Sequence, residues 1–174
     1  GQLDGRRHIL LFDGAMSEAQ VYVNGEKVCF WPYGYNSFHC DVTEHLKAGE
    51  NKVAVLLENR TQSSRWYPGA GIYRNVHIIV TEDVHVPVWG TQLTTPRVSE
   101  ELALVELRTK VNGYAESDRD NLRIKTTIFD AEGNAVVNAV STDTVFRCTL
   151  ENVHKWHGRK DPYLYTAEVN LVEG

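Results

Sequence analysis

The sequence predicts an all-β protein built from two successive sandwiches. Three observations carry this: short β-prone runs recur with turn residues between them, apolar and polar residues alternate within the runs, and no stretch sustains the periodicity of a helix. Hydrophobic residues form 42% of the 174 and charged residues 24%, with four Trp and eight Tyr, which supplies ample apolar surface for a core.

The first candidate strand covers residues 8–13. Ala19-Gln20-Val21-Tyr22-Val23 then alternates, Asn24-Gly25 offers two residues tolerant of positive φ, and Lys27-Val28-Cys29-Phe30 follows, which is the strongest short-range hairpin signal in the chain. Further candidate strands span 37–42, 52–59 and 72–81; in the last, Val76, Ile78 and Val80 alternate with Asn75, His77 and Ile79. Residues 41–49 predict one capped helical turn, with Thr43 as N-cap and Gly49 as stop. About five strands in some 82 residues are few for a closed double sheet of roughly eight, which predicts a partial sandwich.

After Thr81 the pattern resets at Glu82-Asp83, so a boundary is expected near residue 82. The second set of candidate strands covers 84–89, 102–111, 122–130, 135–140, 144–150 and 164–171, with turns at Asn112-Gly113, 130–134 and Glu151-Asn152. Six strands in about 90 residues fit a sandwich of immunoglobulin type without the cysteine pair of antibody domains. The expected modules are 1–82 and 83–174, the second truncated at its C-terminal end. Unpaired edges at the two ends make self-association into a homo-oligomer an expectation.

Charge and composition exclude several functions. A net charge of −5 with 18 Lys and Arg, never in a run, offers no stripe to neutralise a phosphate backbone, which argues against nucleic acid as a partner. No apolar run approaches the roughly 20 residues that cross a bilayer, so no membrane partner is expected. Cys29, Cys40 and Cys148 are odd in number and lack CxxC spacing, so they read as buried free thiols rather than a zinc knuckle or disulfide framework. The histidines include no HxH or HExxH pattern, and His154 and His157 converge only on a helix, so no metal site is expected.

A catalytic constellation is equally absent from the pattern. A retaining glycosidase needs two carboxyl groups about 5 to 5.5 Å apart, whereas Glu100-Glu101 would point to opposite faces of a strand and remain solvated. Ser63-Ser64 lacks the GxSxG turn that exposes a nucleophile. No residue of this chain is expected to be catalytic. Trp31, Trp89 and Trp156 are expected as core residues or interdomain wedges.

The informative stretch is Ser63-Ser64-Arg65-Trp66-Tyr67-Pro68-Gly69-Ala70-Gly71-Ile72-Tyr73-Arg74-Asn75. Sugar recognition sets aromatic faces against C–H surfaces and planar donors against hydroxyls, so Arg65, Trp66 and Tyr67 form a candidate sugar-facing cluster. The same aromatics would equally serve to fasten the two modules together. Gly69 and Gly71 are expected to supply φ values or close backbone approach that a Cβ would obstruct.

This stretch, with Gly69, Gly71, Tyr73 and Arg74 at its core, resembles the signature that closes the N-terminal sugar-binding domain of glycoside hydrolase family 2. Phe12-Asp13-Gly14, Val23-Asn24-Gly25 with Val28, Tyr35-Asn36-Ser37-Phe38 and residues 46–55 follow that family's jelly roll in order. Trp156 and Asp161-Pro162-Tyr163-Leu164-Tyr165 resemble the closing motif of its immunoglobulin-like domain, so the resemblance covers nearly the whole chain.

The resemblance implies a partial, galactose-binding-domain-like jelly roll followed by an immunoglobulin-like sandwich. Within the family the wording is most similar to bacterial β-galactosidases, with β-glucuronidases as relatives, and both a periplasmic and a cytoplasmic setting fit. The family's acid/base and nucleophile glutamates lie in a C-terminal (β/α)₈ barrel of about 250 residues, which this sequence does not contain. The implied partners are therefore that barrel, as part of the same polypeptide, and carbohydrate in the intact enzyme. No cofactor is implied for this chain, although the parent enzyme would bind a divalent or monovalent cation. Several relatives carry an acidic residue where Arg65 stands, so a cation contact there does not carry over. A free-standing carbohydrate-binding module and an adhesive sandwich are the alternatives, and the aromatic loop argues against the second.

Overall fold

The computed structural model describes residues 5–62, 69–115 and 121–173. The chain divides into two compact units, Gly1–Asp83 and Val84–Gly174.

The first unit holds eight short strands: β1 (Arg7–Phe12), β2 (Ala15–Met16), β3 (Ala19–Val23), β4 (Glu26–Trp31), β5 (Phe38–Asp41), β6 (Val53–Leu56), β7 (Gly71–Ile72) and β8 (Val76–Thr81). They form three antiparallel sheets, β5-β1-β8, β4-β3-β6 and the small pair β2-β7. The count of about five strands is corrected to eight among the described residues. Two-residue strands are too short to show an alternating pattern, and the run expected from 72 to 81 breaks at residues 73–75.

The β3–β4 hairpin forms around Asn24 and Gly25, whose φ values of 53° and 93° match the right-handed twist of the flanking strands. In β3, Ala19, Val21 and Val23 are fully buried while Gln20 and Tyr22 alternate outward. These inward residues meet Leu10, Phe12, Phe38, Cys40 and Val42 to form one core. Phe12 and Phe38 stack with centroids 4.7 Å apart. Each such side chain contributes about 1.5–3 kcal/mol on burial.

Two local expectations change. Residues Thr43–His45 form a single 3₁₀ turn in which Thr43 is the first helical residue rather than the cap. Asp41 accepts the Thr43 amide at 3.0 Å, and the buried Thr43 hydroxyl accepts the amide of His8 at 2.9 Å, fastening the turn to β1. Gly49 has φ +86° but lies beyond that turn, so it does not end it. The reading of three free thiols is overturned as well. Cys29 on β4 and Cys40 on β5 are joined by a disulfide with Cα atoms 5.9 Å apart, which ties one sheet to the other, and Cys148 is half-buried.

The second unit holds β9 (Thr91–Val98), β10 (Leu102–Thr109), β11 (Leu122–Phe129), β12 (Ala135–Ser141), β13 (Val145–Glu151) and β14 (Thr166–Glu173). They make two three-stranded antiparallel sheets, β13-β10-β9 and β12-β11-β14, the layered arrangement of an immunoglobulin-like sandwich. Val105, Leu107 and Ile128 centre its core, against Phe146, Leu150 and Val169.

Residues 84–89, expected as a strand, hold only the bridge between His85 and Asn112. Pro87 has no amide to donate, and Trp89 sits at φ +56°. The strand is instead β9, which the sequence hides because it is polar, exposed and interrupted by Pro96. It is an edge strand, and opposite Pro96 the register slips between Leu104 and Glu106, the setting in which a sheet tolerates proline. Trp89 and Trp156 are 62% and 63% exposed, so neither is a core residue; Trp31 packs on the first core.

Candidate functional site

The two segments that flank residues 63–68 are each tied to residues 15–18. On the entering side, the Glu58 amide donates to the Ser17 carbonyl at 2.9 Å and the Ser17 hydroxyl donates to the Glu58 carbonyl at 2.8 Å. Arg60 then pairs with Glu18 at 2.8 Å. On the leaving side, β7 pairs with β2, Ala15 opposite Ile72 and Met16 opposite Gly71. Residues 15–18 thus hold both flanking segments.

Tyr73 secures the leaving stem a second time. Its hydroxyl donates to the Gly34 carbonyl at 2.6 Å, and its ring lies over Gly14, where an added Cβ would stand 2.7 Å from Cζ. Gly34 stands in a similar place, since a Cβ there would run into the Met16 sulfur. Both glycines mark close approach rather than a turn, and a Cβ at either would force the Tyr73 or Met16 side chain to shift. The Asp13 amide donates to the Asn75 carbonyl at 3.0 Å, the Ser37 hydroxyl donates to the Asp13 carbonyl at 3.2 Å, and His77 Nε2 lies 3.1 Å from the Asp13 carboxylate. Segments remote in sequence, 12–18, 33–38 and 71–77, therefore converge on one loop base. Tyr33 and Tyr35, edge to face at 5.5 Å, are 56% and 45% exposed beside Gly34.

Of the residues singled out in the sequence, Arg65, Trp66 and Tyr67 lie outside the described residues, as do Ser63 and Ser64. Gly71 has φ +143° and pairs with Met16; a Cβ at Gly69 meets nothing within 4 Å, so close approach does not require glycine there. Arg74 is exposed at the loop base, its Cδ 3.1 Å from a Cβ placed on Gly14.

The sequence did not single out Gly34, Ser17 or Glu18. A glycine between two tyrosines with no turn signature is the mark that points to Gly34 as a site of close backbone approach. The two polar residues make ordinary loop contacts and carry no mark at all.

The remaining candidates resolve into structural contacts. Glu100 pairs with Lys155 in the bend between β9 and β10, and the hydrogen bond from Lys155 holds its carboxyl below the usual range. His154 stacks on Tyr163 at 4.0 Å and reaches Asp161 at 2.6 Å, while the His157 amide donates to the Asp161 carbonyl. Among the described residues no three His, Cys, Asp or Glu stand together as a metal site, and no helix is long and apolar enough to cross a membrane.

Comparison with known proteins agrees with this architecture. Residues 1–82 match the model for the sugar-binding domain of glycosyl hydrolases family 2, and residues 86–174 match a second model of glycosyl hydrolases family 2. The chain is 37% identical over 172 residues to the β-galactosidase BoGH2A of Bacteroides ovatus, covering 92% of this chain and 20% of that protein. It is 26% identical to a β-glucuronidase of Formosa agariphila, covering 97% of this chain and 20% of that protein. The crystal structure of a family 2 member from Bacteroides cellulosilyticus superposes with a TM-score of 0.80 at 26% identity, over 97% of this chain and 24% of that one. The chain spans about a fifth of the length of the curated relatives it matches. With two family models in tandem over all but a few residues, and a two-sandwich fold to match, this chain belongs to glycosyl hydrolase family 2.

Proposed function

We propose that this chain is the sugar-binding and immunoglobulin-like portion of a longer β-galactosidase-type enzyme, in which it braces a catalytic (β/α)₈ barrel, shapes the entrance to its pocket and contributes to subunit contacts. The observation that carries this reading is the fixing of both segments that flank residues 63–68: Ser17 and Glu18 hold the entering side, and β2 and Tyr73 hold the leaving side, which brackets the candidate sugar-facing residues Arg65, Trp66 and Tyr67 in sequence. The 37% identity to the Bacteroides ovatus β-galactosidase supports the substrate class.

In this reading the chemistry belongs to two barrel carboxyl groups about 5 to 5.5 Å apart, giving hydrolysis with retention. This chain's own residues bind and orient: Trp66 and Tyr67 offer ring faces to pyranose C–H surfaces, and Arg65 donates to hydroxyls. A guanidinium at the position of the family's acidic residue does not suit a cation contact there.

The test is hydrolysis of nitrophenyl β-galactoside by the full-length polypeptide and by the 174-residue chain. Turnover by the longer protein alone is expected, with Arg65→Ala lowering it while leaving melting unchanged. Turnover by the isolated chain overturns the proposal. The identity to the Formosa agariphila β-glucuronidase supports a second reading, a glucuronidase-type parent, which hydrolysis of the glucuronide alone would select.

A further inference from the structure

The Cys29–Cys40 disulfide closes residues 29–40 into a ring that carries the chain from one sheet of the first unit to the other. Cys29 lies on β4, in the sheet with β3 and β6, and Cys40 lies on β5, in the sheet with β1 and β8. Residues 32–37, between these strands, belong to neither sheet. They nevertheless hold the loop base. The Pro32 carbonyl accepts the Glu18 amide at 3.2 Å, the Gly34 carbonyl accepts the Tyr73 hydroxyl at 2.6 Å, and the Ser37 hydroxyl donates to the Asp13 carbonyl at 3.2 Å. Asp13, Glu18 and Tyr73 therefore each take one partner from inside the ring.

Non-covalent contacts also shape the ring. Trp31 Nε1 donates to Asn36 Oδ1 at 2.9 Å, and the Trp31 and Phe38 rings stack with centroids 6.0 Å apart. Contacts of this kind open and close in local fluctuations of the native state. The disulfide does not, and it keeps the Cα atoms at the two ends of the ring 5.9 Å apart for as long as it is intact. Cross-linking the ends of a short segment restricts the arrangements open to the residues between them, which preorganises the groups those residues present.

We propose that the Cys29–Cys40 pair is a redox-sensitive positioning device for the loop base. Oxidised, it sets the Pro32 and Gly34 carbonyls and the Ser37 hydroxyl where Glu18, Tyr73 and Asp13 meet them; reduced, it lets the ring drift and the base loosen. Opening is thiol–disulfide exchange with a dithiol reductant. A reductant thiolate attacks one sulfur, the other cysteine leaves as a thiolate and takes a proton, and the reductant's second thiol then attacks the mixed disulfide and releases the first cysteine. The electron pair passes to the protein and the reductant ends as a cyclic disulfide. An oxidised disulfide such as that of glutathione reverses the exchange. Cys148 lies on β13, in the second unit and outside this ring. The device rests on bonds within the first unit alone and holds whatever sugar the parent enzyme takes.

Amide hydrogen exchange, read by NMR on the 174-residue chain with Cys148→Ser, tests this with and without dithiothreitol. On reduction the Asp13 and Glu18 amides should exchange roughly tenfold faster or more, while the Asn24 amide, which donates to Lys52 at the opposite end of β3, changes less. Oxidised glutathione should restore the slow rates. A chain carrying both Cys29→Ala and Cys40→Ala should show the fast rates in either buffer; if that chain does not fold, the reduced and reoxidised parent chain decides alone. The contrast with Asn24 separates positioning from bulk stability, because a disulfide that only restricted the unfolded chain would move the globally exchanging amides of the unit together. The proposal is overturned by Asp13 and Glu18 amides that ignore reduction, or by an equal rise at Asn24. It is also overturned by a pair that dithiothreitol leaves closed in the folded chain, or by a reduced pair that oxidised glutathione does not close.

Discussion

Gly14→Ala tests the loop base most directly. The new methyl group would stand 2.7 Å from Tyr73 Cζ and its hydroxyl oxygen, and 3.1 Å from Arg74 Cδ. Carbon atoms rest about 3.5–4.0 Å apart, so the ring must retreat by roughly 1 Å. That movement takes the hydroxyl out of reach of the Gly34 carbonyl, now 2.6 Å away. Overpacking costs about 1–3 kcal/mol and the lost hydrogen bond about 1 kcal/mol more, for a total of roughly 2–4 kcal/mol. Tyr73 is half-exposed and can swing outward, which favours the lower part of that range. For a unit of this size each kcal/mol shifts the midpoint by about 4–8 °C, so the first unit should melt roughly 10–25 °C lower. Calorimetry would read the shift, and hydrogen exchange at the β2 and β7 amides would locate it. The decisive comparison is a double-mutant cycle with Tyr73→Ala: once the ring is gone, Gly14→Ala should be neutral or slightly stabilising, giving a coupling of about 2–3 kcal/mol. Additive costs in the cycle would refute the proposed contact, and Gly69→Ala, with open space around its Cβ, should change nothing.

Three other outcomes follow from the geometry. Gly71→Val should destabilise the first unit by about 1–3 kcal/mol through its φ of +143° rather than through a clash, and unchanged melting would remove that argument. The denatured, unreduced chain should titrate one thiol, Cys148, and three after reduction; reduction should cost about 3 kcal/mol by loop-closure entropy across the separation of 11 residues, while three thiols before reduction would dispose of the disulfide. Hydrogen bonds from Arg147 first, and from Arg108, hold the Glu106 carboxyl below its ordinary 4.5. Its stabilising contribution is therefore complete above that ordinary value and is lost as pH falls through the lowered one, so Glu106→Gln should flatten the acid limb of the melting profile below about pH 4.5; an unaltered limb would contradict this.

Local rules were legible in the residues. The Ala19–Val23 strand and the Asn24-Gly25 turn could be read directly, because period-two burial and positive φ are properties of neighbouring residues. The same holds for the all-β class, while Tyr73 and Arg74 were marked only by the resemblance of this stretch to the family signature. Long-range geometry was not legible. Nothing near Ser17 or Glu18 in sequence announces that they receive Glu58 and Arg60, about forty residues away, and Gly14 and Gly34 are exacting only because Tyr73 and Met16 arrive from elsewhere.

Some local signals were even misleading. Cys29 and Cys40 read as unrelated thiols until β4 and β5 bring their Cα atoms within 5.9 Å. Residues 84–89 carried the apolar content of a strand, while the true edge strand Thr91–Val98 looked polar because only one of its flanks is paired and Pro96 falls at a register slip. The sequence by itself determined the all-β class, the Asn24-Gly25 hairpin and the family the chain builds. Only the tertiary structure decided which distant backbone atoms meet, since hydrogen-bond partners and glycine clearances depend on the sheet packing as a whole and on no window of adjacent residues.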